Sequence, residues 1–263
     1  MKYLKTLSLY RIEQTLCYIV IITGFFGAAL LPIDIGPFKL FPYRIFFILL
    51  LIPLKLSLFN SGIKWYLIFL IFWLGYSFIS LTWAISKANA IKDIVFLFMG
   101  IALIFFICLY IRNKKDFMNI YYLCFVAFIC LILIGFWEVI TGNHLLTSRF
   151  FDSPLRFIPT STFHNQNDFA TFLALYIPFG IGIFYYAHSL VLRFLGIMSI
   201  SGAVYLILVT KCVSGILAVV LELIVLSVLY IFNKRKFFLL AVLIPVVGII
   251  VVWQYPFIHQ YIQ

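Results

Sequence analysis

The residues best suited to chemistry lie together in one long polar stretch between two apolar runs. Residues 141–168, TGNHLLTSRFFDSPLRFIPTSTFHNQND, contain Arg149 and Arg156 together with His144 and His164, two of the four histidines. Arginine can donate paired hydrogen bonds to a phosphate or a carboxylate, and histidine can exchange a proton near neutral pH. Long loops in compact proteins are usually functional or disordered, so the site is expected here first.

Each of these residues also has a simple structural interpretation. Interfacial arginines often reach lipid headgroups. Asn165, Asn167 and Asp168 directly precede an apolar run, where Asn and Asp are frequent N-caps, and capping alone accounts for Asp168 about as well as ligand binding does. His164 has no evident partner, and His144 lies at a predicted helix end, where an interfacial position is expected.

A carboxylate inside an apolar run is a second kind of candidate. Glu222 lies within residues 216–232, where an ionised side chain is costly unless it is paired or neutral. We expect it to bind a cation such as Lys211 or to stay protonated, and we include it among the candidate ligand-binding residues. Glu138 lies near the end of its own apolar run, where an ionised side chain is less costly.

The composition predicts that a membrane positions these residues. The chain has 263 residues, 65% of them hydrophobic and 10% charged, with a mean hydropathy of +1.18. Soluble domains have about 45–50% apolar and about 25% charged residues. The predicted fold class is therefore all-α, a polytopic helical bundle forming a single transmembrane domain over residues 1–263.

About nine apolar runs are long enough to span a bilayer, which needs about 20 residues. Lys55 and Pro53 interrupt the second of them. The nine runs are Gln14–Ile33, Tyr43–Phe59, Trp65–Ala84, Ile94–Ile111, Met118–Ile140, Phe169–Ala187, Phe194–Thr210, Ile216–Phe232 and Phe237–Trp253.

The basic residues predict the orientation. With a cytoplasmic N-terminus, the inner segments hold twelve lysines and arginines and the outer segments hold seven. Cytoplasmic loops carry the excess of positive charge, so the N-terminus is expected inside and the C-terminus outside. This topology puts residues 141–168 on the outer face.

The same charge pattern argues against nucleic acid as a partner. The formal charge of +11 comes from short clusters between apolar runs, which is how membrane proteins fix their orientation. The five cysteines form no Cys-x-x-Cys pair and have no metal-ligand spacing, so we expect inert thiols and no metal site.

Residues 156–180, RFIPTSTFHNQNDFATFLALYIPFG, resemble the signature region of the bacterial O-antigen ligase and polysaccharide polymerase family. In that family an arginine-bearing outer loop precedes a Gly/Ser-Thr-Phe-x-Asn-x-Asn-x-x-Ala run, which opens a membrane helix ending in a Pro-Phe pair. The preceding IGFWEVITG segment is also similar to the family. The matching positions are Ser161, Thr162, Phe163, Asn165, Asn167, Asp168, Phe169, Ala170, Leu173, Pro178 and Phe179.

A second segment, VTKCVSGILAVVLELIVL, is similar to the family's Thr-x-Ser-Arg-Ser-Gly-x-x-Ala segment, whose arginine is important. Here Val213 takes the place of that arginine and Cys212 that of the preceding serine, so Lys211 is the nearest cation. The resemblance covers nearly all of this chain but only the front portion of a family member, because the family continues into a large outer loop with a histidine thought to act in catalysis.

The resemblance implies a membrane glycosyltransferase of the bacterial plasma membrane. Such an enzyme moves a glycan from an undecaprenyl-diphosphate-linked donor to an acceptor hydroxyl in O-antigen, capsule or wall polysaccharide. It needs no cofactor, and its partners are the lipid-linked glycan, membrane lipids and other polysaccharide-assembly membrane proteins. It implies Arg156 and Lys211 as catalytic residues, and the substrate-binding set is Arg149, His164, Asn165, Asn167, Asp168 and Glu222.

Two alternatives stay open. The chain could be a truncated, catalytically incomplete relative of the family, which the change at Val213 favours. It could also be a flippase for lipid-linked oligosaccharides or another transporter, which the number of helices and Glu222 allow. Transporters often contain paired internal repeats with broken helices, and no such repeat is recognisable here.

Overall fold

A computed structural model describes residues 2–29, 33–35, 38–51, 64–111, 113–153 and 157–232. In these ranges the chain forms α-helices joined by mostly short connections, with one 3₁₀ turn (Gly27–Ala29) and one small antiparallel hairpin in which Ile33 lies opposite Leu40. The elements are α1 (Lys2–Phe26), β1 (Ile33–Ile35), β2 (Phe38–Leu40), α2 (Pro42–Leu51), α3 (Lys64–Ser80), α4 (Lys87–Tyr110), α5 (Lys114–Thr141), α6 (Gln166–Tyr186), α7 (Leu190–Thr210) and α8 (Val213–Phe232).

The predicted class of helical membrane protein is confirmed. Among the described residues, the helices α4, α5, α6 and α7 are long and apolar enough to cross a membrane. Eight of the nine predicted runs contain a helix of the structure, and the ninth, residues 237–253, lies outside the described residues. The count of nine spans and the orientation stay predictions.

The outward-facing side chains of α3 show why this chain needs an apolar solvent. Trp65, Phe72 and Trp73 are all exposed, and Trp65 has 76% of its surface free. In water such a surface would promote association, whereas lipid tails are as apolar as the side chains themselves. The helix is therefore suited to contact with lipid or with other apolar helices.

The chain forms two compact units, residues 1–130 and 131–263, and the boundary falls within α5. In the first unit, the rings of Phe47 and Phe106 meet edge to face with centroids 6.0 Å apart. The hydroxyl of Tyr110 donates to Oε2 of the buried Glu13 at 3.2 Å. The unit thus joins α1, α2 and α4 through aromatic packing and one buried polar contact.

The second unit contains the end of α5, the polar stretch, and α6 to α8. Close approach of α6 and α7 depends on glycine, because a Cβ added at Gly196 would lie 2.9 Å from the carbonyl oxygen of Gly180. Small residues let membrane helices approach closely enough for their backbones to touch. The core of this unit lies between the helices and includes Leu173, Leu206 and Ile207.

Two further close approaches define one end of the second unit. A Cβ at Gly135 of α5 would lie 2.9 Å from the ring of Phe169, in the first turn of α6. A Cβ at Gly215, in the first turn of α8, would lie 2.9 Å from Cβ of Ala170. The end of α5, the start of α6 and the α7–α8 corner therefore lie at the same end of this unit, where the polar stretch is also found.

Candidate functional site

The polar stretch is an ordered loop wherever the structure describes it. The backbone N–H of Arg149 donates to the carbonyl oxygen of His164 at 2.9 Å, and Nδ1 of His164 lies 3.0 Å from the carbonyl oxygen of Thr147. These contacts join the outgoing and the returning arms of the loop. Arg149 and His164 are thereby held side by side, and both are exposed.

The base of the loop is built around the carboxylate of Glu138, which is fully buried. Its Oε2 accepts hydrogen bonds from the backbone N–H groups of Thr160 at 2.7 Å and Ser161 at 2.6 Å. Its Oε1 lies 3.2 Å from the hydroxyl of Thr160 and 3.0 Å from Nδ1 of His144. A buried charge needs such partners, because no water is there to solvate it.

His144 completes this cluster from the outgoing arm. Its side chain is 1% exposed, and its Nδ1 shares a hydrogen bond with the carboxyl group of Glu138. His144 lies three residues after the end of α5, and its side chain is buried under the loop rather than exposed. The ring lies under the loop because Glu138 offers it a buried anion that the sequence pattern does not show. Its other face approaches Phe150, with ring centroids 6.0 Å apart.

Ser148 and Ser161 extend the cluster to the rest of the loop. The Ser148 hydroxyl lies 2.8 Å from that of Thr160 and accepts the backbone N–H of Phe150 at 3.1 Å. Ser161 adopts a left-handed backbone conformation with φ of 51°, and its hydroxyl donates to the carbonyl oxygen of Leu131 at 3.0 Å. A positive φ is uncommon for serine, and these contacts hold the residue in it.

Arg149 presents a cation at the surface of this loop. One guanidinium nitrogen donates to Oε1 of Gln166, and the group lies over the ring of Phe150, 4.6 Å from its centroid. A guanidinium has five N–H donors. Other donors of Arg149 are therefore left to bind an anion, and the side chain is oriented in advance.

The polar residues at the start of α6 divide into two roles. Asn165 is the N-cap: its Oδ1 accepts the backbone N–H groups of Asn167 and Asp168, both at 2.9 Å. The amide of Asn165 donates to Asp168 at 2.7 Å, which places a carboxylate in the first turn. Asn167 is exposed, and among the described residues its side chain has no hydrogen-bond partner. Asn165 and Asp168 thus stabilise the helix start, while Asn167 is available to a ligand.

Lys211 lies at the corner between α7 and α8. It is exposed and left-handed, with φ of 56°, and it caps the end of α7. Cys212 follows and its sulfur accepts the backbone N–H of Gly215 at 3.4 Å. Cys212 therefore has a capping role at the start of α8. Through Gly215 and Ala170, this corner lies at the same end of the unit as the start of α6.

Glu222, a further predicted residue, does not join this group. Glu222 is half-buried in α8, about 14 Å along the helix axis from Val213, the first residue of the helix. The predicted ion pair between Glu222 and Lys211 is therefore wrong, because Lys211 precedes Val213. Oε2 of Glu222 is buried without a hydrogen-bond partner among the described residues. Arg156 lies outside the described residues.

Sequence reasoning missed the central role of Glu138 and His144. The available signal was a carboxylate in the last turn of an apolar run, followed six residues later by a histidine. Within the ranges that the structure describes, no group of three or more His, Cys, Asp or Glu residues could hold a metal ion.

The comparisons with known proteins give one informative match. The chain is 32% identical to the teichuronic acid biosynthesis protein TuaE of Bacillus subtilis (strain 168) in an alignment of 224 residues that covers 80% of this chain and 45% of the relative. The chain thus spans about half the length of the curated relative it matches. No family model matches, and no solved structure matches. The relative is named for the biosynthesis of teichuronic acid, which agrees with the broader part of the predicted resemblance.

Proposed function

We propose that this chain acts in bacterial cell-surface polysaccharide biosynthesis as a membrane glycan polymerase or ligase. It transfers a glycan from an undecaprenyl-diphosphate-linked donor to an acceptor hydroxyl at the outer face of the plasma membrane. The observation that carries the proposal is the ordered loop that presents Arg149 and His164 at one end of an apolar helical unit. The relative, a teichuronic acid biosynthesis protein, supports the class of product.

The chemistry explains why cations are needed at this end. The acceptor oxygen attacks the anomeric carbon, the bond from that carbon to the phosphate oxygen breaks, and the acceptor proton passes to a base. Negative charge develops on the departing lipid diphosphate. Guanidinium and ammonium groups stabilise that charge, and a preorganised cation acts most strongly where water is scarce.

We assign the cations as follows. Arg156 and Lys211 act on the departing diphosphate, and Arg149 binds the ground-state donor with His164. Lys211 is exposed at the corner that lies beside the first turn of α6. Asn167 offers a side-chain amide to the sugar or the diphosphate. The carboxylate of Asp168 repels phosphate, so the capped start of α6 contributes through Asn167 rather than through its own N–H groups.

The proposal requires the predicted topology. With an inner N-terminus and nine spans, residues 141–168 face outward, where a lipid-linked donor is used for surface polysaccharide. A cysteine introduced at the exposed Asp152 by Asp152→Cys is then labelled by an impermeant maleimide added outside intact cells. Labelling only after the membrane is opened would place the loop inside and refute the proposal.

Complementation tests the function itself. In a strain that has lost this gene, the wild-type chain restores surface polymer, and Arg156→Ala abolishes it. Lys115→Ala is the matched control, because Lys115 is an exposed cation at the opposite end of α5 and should restore normal polymer. Normal polymer with Arg156→Ala would remove the proposed anchor. Purified protein that binds the donor without transferring its glycan would instead identify a catalytically incomplete relative.

A second candidate function rests on Glu222. A half-buried carboxylate in an apolar helix, with one oxygen lacking a partner among the described residues, is the kind of group a proton-coupled flippase uses. Purified protein in vesicles tests this directly with a fluorescent lipid-linked oligosaccharide. Movement of the probe across the bilayer, lost in Glu222→Gln, would favour the flippase over the glycosyltransferase.

A further inference from the structure

We propose that Glu138 is the positioning residue of the donor site: its buried carboxylate fixes the loop so that Arg149, His164 and Asn167 are held ready for the lipid diphosphate. The identity of the ligand rests on the function proposed above. The ordering of the loop rests on geometry alone and can be tested separately.

The carboxylate of Glu138 joins two distant parts of the chain. Glu138 belongs to α5, while Thr160 and Ser161 lie 22 and 23 residues further along the chain. Two successive backbone N–H groups of the returning arm point at a single carboxylate oxygen. Such paired amides form an anion-binding concavity, and here the protein fills it with its own anion.

The same carboxylate also binds the outgoing arm of the loop. Its other oxygen lies 3.0 Å from Nδ1 of His144, and the hydroxyl of Thr160 bridges from Glu138 to Ser148. Both arms of the loop are therefore bound to one side chain. Removal of its charge leaves the two backbone N–H groups with a neutral acceptor, and hydrogen bonds to a charged group are stronger than those to a neutral one.

Neighbouring residues along the chain connect the Glu138 cluster to the exposed groups. Ser148 directly precedes Arg149, whose backbone N–H binds the carbonyl oxygen of His164. His164 in turn precedes Asn165, the N-cap of α6. The ring of Phe163 packs against Phe172 of α6, with centroids 5.3 Å apart. The exposed candidates therefore each lie one or two residues along the chain from Ser148 of the cluster or from the N-cap Asn165. These candidates are Arg149, His164 and Asn167.

Burial decides between a catalytic and a positioning role. Glu138 is 0% exposed and the side chain of His144 is 1% exposed, so neither can touch a sugar or a diphosphate in this conformation. An exposed pair of this kind would be a candidate for a general base. A buried pair acts through the groups that it orders, and preorganisation of those groups lowers the cost of binding.

The test uses purified protein in lipid nanodiscs and two variants of the cluster. Glu138→Gln keeps the shape of the side chain and removes its charge. Thr160→Val is the milder change, because it removes the bridging hydroxyl and keeps both backbone bonds to the carboxylate. The matched control is Asp152→Asn, which removes an exposed carboxylate of the same loop that has no partner among the described residues.

Two kinds of measurement are made on each variant, hydrogen exchange and donor binding with kinetics. The first is hydrogen exchange at the backbone amides of residues 157–165, compared with those of α7. The second is the donor KM and kcat with undecaprenyl-diphosphate-linked glycan, together with the Kd for undecaprenyl diphosphate alone. Glu138→Gln should speed loop exchange by about tenfold or more and raise Kd and KM by about tenfold, with kcat at saturating donor changed far less. Thr160→Val should change the same quantities by about threefold, and Asp152→Asn by less than twofold.

The outcomes separate the two proposals. Unchanged loop exchange in both cluster variants overturns the positioning role. Faster exchange with unchanged KM and Kd also overturns it, since the cluster would then be structural only. If the wild-type protein binds no undecaprenyl diphosphate, the proposed function fails, while the exchange data still decide whether Glu138 orders the loop.

Discussion

Oε2 of Glu138 lies 2.6 Å from the backbone nitrogen of Ser161, which is 23 residues further along the chain. This contact closes a long polar loop onto the end of a membrane helix. Because the carboxylate is fully buried, water does not compete for the bond. The exposed part of the loop, which includes Arg149, is therefore held by an interior contact.

Ser161 should be sensitive to the shape of its replacement. Its φ of 51° suits glycine best, and a β-branched side chain is strongly disfavoured there. Ser161→Ala loses the hydroxyl bond to Leu131 and should lower the free energy of unfolding by about 1 kcal/mol. Ser161→Val should lower it further, by about 2–3 kcal/mol in all, because strain adds to the lost bond.

Thermal unfolding in detergent measures both effects, and Ser161→Gly supplies the control. Glycine lacks the hydroxyl but relieves the backbone, so this variant should be at least as stable as Ser161→Ala. Equal melting temperatures for the valine and alanine variants would show that the left-handed conformation imposes no constraint.

Asn165 and Asn167 should separate stability from ligand binding. Asn165→Ala removes the N-cap of α6 and should lower the free energy of unfolding by about 1 kcal/mol. Asn165→Ser should keep most of the stability that the cap provides. Asn167→Ala removes an exposed amide and should leave stability unchanged while raising the donor KM by about threefold to tenfold. Melting temperatures and donor kinetics on the same preparations test both statements. A loss of stability in Asn167→Ala would contradict this division of roles.

The helices were predictable from the sequence because lipid solvation requires long apolar runs, and α4 to α7 are such runs. A cap before α6 was predictable because capping depends only on neighbouring residues, but the sequence favoured Asp168 for this role, whereas the N-cap is Asn165. The cluster at Glu138 was not, because its partners return to it through a loop whose path no local pattern encodes. The expected ion pair between Glu222 and Lys211 was wrong for a related reason. Glu222 lies about 14 Å along α8 from Val213, and Lys211 precedes Val213, so closeness in sequence does not bring the two side chains together.

The contact between α6 and α7 should not tolerate a methyl group at Gly196. An added Cβ would lie 2.9 Å from the carbonyl oxygen of Gly180 and from the backbone nitrogen of Phe184, and backbone atoms cannot move aside cheaply. Gly196→Ala should therefore lower the free energy of unfolding by about 1–3 kcal/mol.

The control for that variant is Gly100→Ala in α4, where an added Cβ meets nothing within 4 Å. Alanine is the better helix former, so this change should be neutral or stabilising by up to about 1 kcal/mol. Melting in the same detergent compares the two substitutions. If both destabilised the protein equally, close helix approach could not be the cause.

Lys211 should contribute its positive charge to donor binding. Its φ of 56° is a conformation that glycine adopts readily, so Lys211→Gly keeps the corner between α7 and α8 and removes only the side chain. Donor affinity should fall by about tenfold, the effect of losing one charge-assisted contact worth about 1.4 kcal/mol.

Two further variants decide whether charge alone explains that loss. Lys211→Arg should restore most of the affinity, because arginine keeps the positive charge and its guanidinium group binds phosphate well. Lys211→Gln should behave like the glycine variant in binding. Raising the salt concentration should weaken donor binding by the wild-type protein more than donor binding by the neutral variants Lys211→Gly and Lys211→Gln, since salt screens exposed charges. Equal salt dependence in all variants would mean that Lys211 does not contact the diphosphate.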